Sequence, residues 1–273
     1  MSSTFSFYAL SPEFNLIKGL VQTKTKIIGT DQIVLTADKL MATKLLEITN
    51  NNSAKEIYTK IKKSSTKYFN LFINGKGSPY FFTDEFAQDL KKLEGLKLNS
   101  EERSILENLK LSRKIYMTQN HHLRIQLMKS NILNNIDLLS GSKNLFKYGA
   151  IHMNKSESIL GGYDIGNLIF NITDANFKSS LHIMIIVKKG IQGVPFKGMD
   201  TKNVNPLSKE LKHYTQFFNI AKGDNWVLFN TKEIMKEVKN NKIEIDDKVL
   251  RNTLIGFDYL IVIPEGSASK FID

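Results

Sequence analysis

Apolar positions in the first half of the chain recur at three- and four-residue steps, whereas in the second half they gather into short continuous runs. The first rhythm is that of amphipathic helices and the second that of buried strands. Thr36-Ala37-Asp38 opens a helix running to about Leu46, and residues 52–72 form a longer one with Ile57, Ile61, Tyr68 and Leu71 facing inward. Gly75-Lys76-Gly77-Ser78-Pro79 is a turn. Thr83 caps the next helix with Asp84 and Glu85 in its first turn, and Ser100 with Glu101 and Glu102 repeats that signature. The helical pattern continues to about Leu139, broken near Gln119 and Asn120.

Residues 24–31 read as a short strand ending in a turn. After Gly141, residues 145–151 and 181–187 read as strands with a helix at 164–176 between them. Residues 190–205 form a glycine-rich polar loop, followed by a helix at 206–220, a strand at 226–229 and a helix at 231–239. A last buried strand at 259–263 is closed by Pro264. No internal repeat or low-complexity linker interrupts the chain. Alternating strands and helices predict one α/β domain over residues 1–273, its sheet mostly parallel and flanked by helices. Residues 34–140 are then a large helical insertion or cap over the strand ends.

Composition narrows the class. With 41% hydrophobic and 24% charged residues and a mean hydropathy of −0.23, the chain folds rather than staying disordered. No run is long enough to span a membrane. Met1-Ser2-Ser3-Thr4-Phe5-Ser6-Phe7 lacks a leader's basic and apolar regions. The absence of cysteine excludes disulfides, thiolate catalysis and cysteine zinc sites, and leaves the compartment open. A net charge of +11 raises nucleic acid as a partner, but only four arginines contribute to it (Arg103, Arg113, Arg124, Arg251). Arginine is the usual tool for bidentate phosphate and base contacts, and the lysines are scattered. The balance argues for solvated surface and a small-molecule ligand over nucleic acid, and says nothing of oligomeric state.

Several residues could carry chemistry, each beside a plainer role. His152 follows an apolar run and Gly149, at a predicted strand end where α/β proteins hold ligands. A histidine there can serve as base, acid or metal ligand, and Gly149 admits a close backbone or ligand; the plain alternative is a histidine capping a loop. Asp31 also follows a predicted strand, as an orienting carboxylate or hard oxygen ligand, or equally as a turn aspartate. Arg124, Met128 and Asn131 share one helix face. Arg124 suits an anion or oxyanion contact, or else its stem covers apolar surface. Asp164 sits near a helix N-terminus, a place that favours anions and that the carboxylate itself fills as a cap.

His121 and His122 are adjacent, so on a helix they point about 100° apart and cannot share a metal. His182 reads as a satisfied core or sheet-face residue and His213 as a surface one. No metal site is read, because no HExxH or His-x-His spacing occurs. There is also no Gly-x-Ser-x-Gly elbow, phosphate-binding loop or dinucleotide fingerprint.

Taken in order, four local patterns resemble the erythromycin-esterase-like, ChaN-like and Tiki superfamily. Ile28-Gly29-Thr30-Asp31-Gln32 resembles its strand ending in Gly-x-Asp, and Arg124 through Met128 to Asn131 its helical Arg-x-x-x-Met-x-x-Asn. Phe146 to His152 resembles the strand ending in Gly-x-x-His, and Tyr163 to Asn167 the segment after it. Gly256-Phe257-Asp258-Tyr259-Leu260-Ile261-Val262-Ile263-Pro264 is similar to the last strand of bacterial members. The likeness runs from about residue 24 to the end.

It implies an α/β fold with a helical insertion, and a cleft like those of hydrolases that open macrolide lactones, metal-dependent peptidases and haem-binding proteins. On this expectation His152 is general base or electrophile in ester or lactone hydrolysis, Arg124 the oxyanion or carboxylate contact and Asp31 the orienting acid. Gly149, Asn131 and Asp164 lie against the ligand, and a divalent metal or haem is the cofactor class implied. A non-catalytic haem-type binder is the alternative, and a basic nucleic-acid or anionic-surface binder a further one. Two departures stand out: residues 1–21 supply no Glu-x-x-His motif, and Ile125 and Gln126 replace the acidic residue usual after the arginine. The expectation is therefore of a shortened or degenerate member.

Overall fold

In a computed structural model, which describes residues 8–272, several of the helices begin at side-chain caps. The opening residues 1–7, in which no leader was read, lie outside the described residues. Along the chain run α1 (Ser11–Gln22), α2 (Asp38–Ile48), α3 (Asn52–Ile73), α4 (Asp84–Glu94), α5 (Ser100–Thr118), α6 (His121–Leu133) and α7 (Ile136–Ser140). There follow α8 (Ile165–Ala175), β1 (Ile183–Gln192), β2 (Lys202–Asn203), α9 (Thr215–Ile220), β3 (Val227–Asn230), α10 (Thr231–Lys239), α11 (Lys248–Gly256) and β4 (Tyr259–Gly266). None of these helices is long and apolar enough to cross a membrane. The chain divides into two compact units, the first drawn from residues up to 131 with 194–200 and the tail after 268, the second from residues 132–193 and 201–268.

The first unit is helical. Asn51 Oδ1 accepts the Ala54 amide at 3.0 Å to start α3, and Thr83 Oγ1 accepts that of Phe86 at 3.1 Å to start α4. The cap of α5 is Asn99 rather than Ser100: Asn99 and Glu102 exchange side-chain-to-amide bonds of 2.9 Å each, a capping box. Gln119, at φ 50°, ends α5, as the expected break near residue 119 requires. Ala54, Tyr58, Ile61, Phe81, Phe86 and Leu93 form the centre of its core. The Ile57 and Tyr68 side chains expected inside are only partly buried against that core. Carboxylates that this burial would penalise are each satisfied. Asp89 accepts from Tyr80 Oη at 2.6 Å and Lys60 Nζ at 2.8 Å, and Glu102 from Tyr58 Oη at 3.1 Å. Residues 24–31, expected as a strand, are not one: a strand needs a partner ladder, and among the described residues this segment joins none.

The second unit is built on a four-stranded sheet in the order β2-β1-β4-β3. The expected mostly parallel sheet is corrected to a mixed one. β1 and β4 run parallel, with Ile183 beside Tyr259 and Val187 beside Ile263, while β2 and β3 join them antiparallel. The cause lies in the connections. A single crossover helix returns a chain parallel, but the two helices α10 and α11 between β3 and β4 reverse it once more. Tyr214, Phe217, Phe218, Leu250 and Leu254 pack with Ile186, Leu260 and Val262 in the core of this unit. β1 extends past Val187 because the ladder continues, with Lys189 beside Glu265 and Gly190 beside Gly266, and Lys188 Nζ donates to the carbonyls of Phe218 at 2.7 Å and Ala221 at 3.2 Å, closing the end of α9. β4 likewise runs through Pro264.

Candidate functional site

His152 is not at a strand end. Residues 145–149 are irregular, and residues 150–152 make one 3₁₀ turn in which the His152 amide bonds the Gly149 carbonyl at 2.9 Å. Asp164, the N-cap of α8, meets it. One carboxylate oxygen, Oδ1, accepts the Ile165 amide at 2.7 Å, and the other, Oδ2, lies 2.7 Å from His152 Nδ1. His152 is 5% exposed and Asp164 fully buried, so the pair interacts with little competition from water. An Asp oxygen on Nδ1 holds the proton there and turns Nε2 into the basic nitrogen. The Tyr148 ring stands edge-on at 6.4 Å between centroids. A Cβ on Gly149 would meet only the His152 ring, at 3.9 Å, an ordinary contact.

The backbone after His152 is clamped from two sides. Gly166 of α8 lies so close to the Met153 carbonyl that any Cβ would overlap it, and Gly256, the last residue of α11, abuts the Asn154 side chain in the same way. The Lys155 amide donates to the Gly256 carbonyl at 2.9 Å, and Asn167 Nδ2 to the Lys155 carbonyl at 2.6 Å. Asn154 Oδ1 accepts both the amide and the hydroxyl of Ser156 at 2.8 Å. Lys155 Nζ pairs with buried Asp258 at 2.5 Å, and Asp258 also accepts the His182 amide at 2.7 Å. His182 donates from Nδ1 to the Met153 carbonyl at 2.7 Å, which leaves Nε2 to accept from Ser180 Oγ at 3.0 Å. Burial, reinforced by Lys155, holds its pKa below the usual histidine value against the opposing pull of the Met153 carbonyl and Asp258. His182 is thus the satisfied core residue expected. A cavity of about 30 Å³ beside the turn, lined by Ala150, Ile151, Asn154, Met184, Thr253 and Phe257, has room for water and not for an organic substrate.

In the first unit the other expected residues meet one another. Arg124 Nε donates to Asp31 Oδ1 at 2.8 Å, and Arg124 Nη2 to Asp31 Oδ2, a bidentate pair. Asn131 Nδ2 donates to the Thr30 carbonyl at 2.8 Å, and Met128 between them is wholly buried. The shared helix face thus holds the loop at residues 30–31. The Ile33 amide, bonded to Ser112 Oγ at 2.9 Å, ties the same loop to α5.

Against known proteins, the likeness is one of fold. A succinoglycan biosynthesis protein matches with a TM-score of 0.53 at 12% identity, over 96% of this chain and 72% of that one. A Bacillus cereus protein matches with a TM-score of 0.47 at 15% identity, over 97% and 74%. An erythromycin esterase variant in its open conformation gives 0.48 at 12%, over 96% and 74%. No family model matches the sequence, and no curated protein matches it significantly. The α/β fold expected from the superfamily resemblance agrees with the first of these likenesses; at such identities it fixes architecture and no activity.

The partners of His152 were only half legible in the sequence. Asp164 is legible as a cap and as an expected ligand contact, but a cap uses one carboxylate oxygen, and nothing local marks the second as the partner of His152. Lys155 and Asn154, which hold the backbone after it, carry no motif, and Asp258 stands in the sequence only within the segment 256–264. The one available signal was Asp258 directly before a buried strand, a charged residue where the chain turns inward.

Proposed function

We propose that this chain is a hydrolase-like α/β protein that cleaves an ester or lactone, with His152 as general base and Asp164 as the carboxylate that orients it. The observation that carries this reading is the 2.7 Å bond between His152 Nδ1 and Asp164 Oδ2, buried on both sides. It supplies the two elements base catalysis needs, a fixed tautomer and a fixed ring. The order of motifs shared with the erythromycin-esterase-like superfamily supports the same reaction class. In this reading Gly149 and Tyr148 flank the base. The Arg124–Asp31 pair is read separately: with two guanidinium donors already on Asp31, Arg124 would contact an anionic group with its charge largely balanced.

The test is hydrolysis of p-nitrophenyl esters and of macrocyclic lactones by the purified chain and its His152→Ala variant. General-base assistance is worth ~10²–10⁴ in rate, so the variant should lose at least the lower figure. Undiminished turnover would remove His152 from the mechanism.

A further inference from the structure

The segment from His152 to Lys155 lies along the start of α8 and is matched to it at three points. His152 Nδ1 meets Asp164 Oδ2 at 2.7 Å, Gly166 lets the Met153 carbonyl come close, and Asn167 Nδ2 donates to the Lys155 carbonyl at 2.6 Å. Lys155 is the far end of this match, and each of its polar groups is engaged. Its amide donates to the Gly256 carbonyl at 2.9 Å. Its ammonium reaches Asp258 Oδ2 at 2.5 Å and stands 5.6 Å from the centre of the Phe170 ring of α8. The lysine side chain is 14% exposed and that of Asp258 4%. Asp258 also accepts the His182 amide at 2.7 Å and lies 3.0 Å from Lys232 Nζ, an exposed group.

Charges so deeply placed contribute little net stability. Taking both out of water costs about what their attraction returns, and an apolar pair of the same volume would hold the fold as well or better. What the ion pair adds is a single position for the chain that bears the lysine. We infer, on the reading of His152 as a general base, that Lys155 is a positioning residue: by fixing where the segment ends, it sets the distance between His152 and Asp164. Only Met153 and Asn154 separate it from the histidine, and both are held against glycines, so slack at Lys155 passes to the imidazole. A displacement of about 1 Å at a reacting group is enough to cost roughly a hundredfold in rate. Asp258 acts through Lys155 and touches no part of the turn itself.

Lys155→Met combined with Asp258→Asn removes the pair, while the asparagine carbonyl still accepts the His182 amide. In the full chain carrying both changes, nitrogen NMR should find that the His152 imidazole has lost its single Nδ1-protonated form, with the proton shared between both nitrogens. Turnover of p-nitrophenyl esters should fall about a hundredfold in kcat with KM little changed, because no substrate contact is removed. Lys232→Met takes the other cation from Asp258 and none of the bonds of the turn, and should alter neither measurement. Asn167→Ala loosens Lys155 at its carbonyl and should shift the imidazole in the same direction, so it decides the matter where the double variant does not fold. A native imidazole in the folded double variant or in Asn167→Ala overturns the positioning role, as does a fall in turnover with the native tautomer kept. Undiminished hydrolysis in His152→Ala would remove the catalytic reading instead, and the imidazole signal would still decide whether Lys155 positions the ring.

Discussion

Replacing Asp164 with asparagine separates what this residue does for the fold from what it does for chemistry. In the native pair Oδ1 holds the start of α8 through the Ile165 amide and Oδ2 holds the proton on His152 Nδ1. Asparagine is nearly isosteric and keeps a carbonyl oxygen for the Ile165 amide. Its NH₂ then faces His152 Nδ1, which can be satisfied only by moving the imidazole proton to Nε2. Two charge-assisted bonds become neutral ones, at a cost of about 1–2 kcal/mol in stability. Asp164→Ala removes the cap, worth about 1 kcal/mol, and leaves a buried N–H without its partner, a further 1–3 kcal/mol or so. The alanine variant should therefore lose about 2–4 kcal/mol by urea denaturation, well beyond the asparagine variant. Nitrogen NMR of the imidazole should find Nδ1 protonated in the native chain and Nε2 protonated in Asp164→Asn. With its basic nitrogen now a donor, the asparagine variant should lose ~10²–10⁴ in ester hydrolysis while staying folded. A native tautomer in Asp164→Asn, or turnover equal to that of the native chain, would refute the orienting role.

Three further outcomes are expected. Because burial depresses the His182 pKa in the folded chain, the unfolded chain takes up its proton first as pH falls through about 6.5. Stability should decline as pH falls through and below about 6.5 and be indifferent to this group well above it, and His182→Gln should flatten the decline in urea midpoints; an unchanged slope would contradict it. Gly166→Ala forces a methyl into the Met153 carbonyl and should cost about 3 kcal/mol, whereas Gly149→Ala, with only an ordinary contact to make, should shift the midpoint little. Asp31→Asn breaks a partly exposed ion pair and should change stability by less than about 1 kcal/mol; a larger loss by calorimetry would mean the loop at residues 30–31 is structural in its own right.

What the sequence made legible follows from where the decisive interactions lie. α10 (Thr231–Lys239) and the starts of α3 and α4 are legible because Asn51, Thr83 and Asn230 act within three residues of themselves. α1 and α11 are not, although Pro12 and Asp247 mark their first turns, since their apolar positions are sparse beside those marks. The segments at 24–31 and 145–151 have strand-like composition, but pairing is a property of two segments, and among the described residues neither joins a strand ladder. The same limit applied to chemistry. Asp31 and Arg124 were each singled out, but their bidentate pairing spans 93 positions of sequence. For Lys155 and Asp258, 103 positions apart, the one local mark is a charge directly before a buried strand, which does not name its partner.

The double clamp on Met153 and Asn154 bears on motion as much as on placement. Loops that carry functional side chains are commonly the first parts of a protein to open, at a small fraction of the global free energy. Here the turn bearing His152 cannot lift without parting α8 from the end of α11 and breaking the bonds of Lys155 and His182. Its amides should therefore exchange with solvent on the timescale of unfolding of the whole second unit, so that the histidine is among the least mobile residues of that unit. Any opening that admits a substrate then falls to the flanks, before Gly149 or around Gly161 (φ 79°), and not to the turn itself.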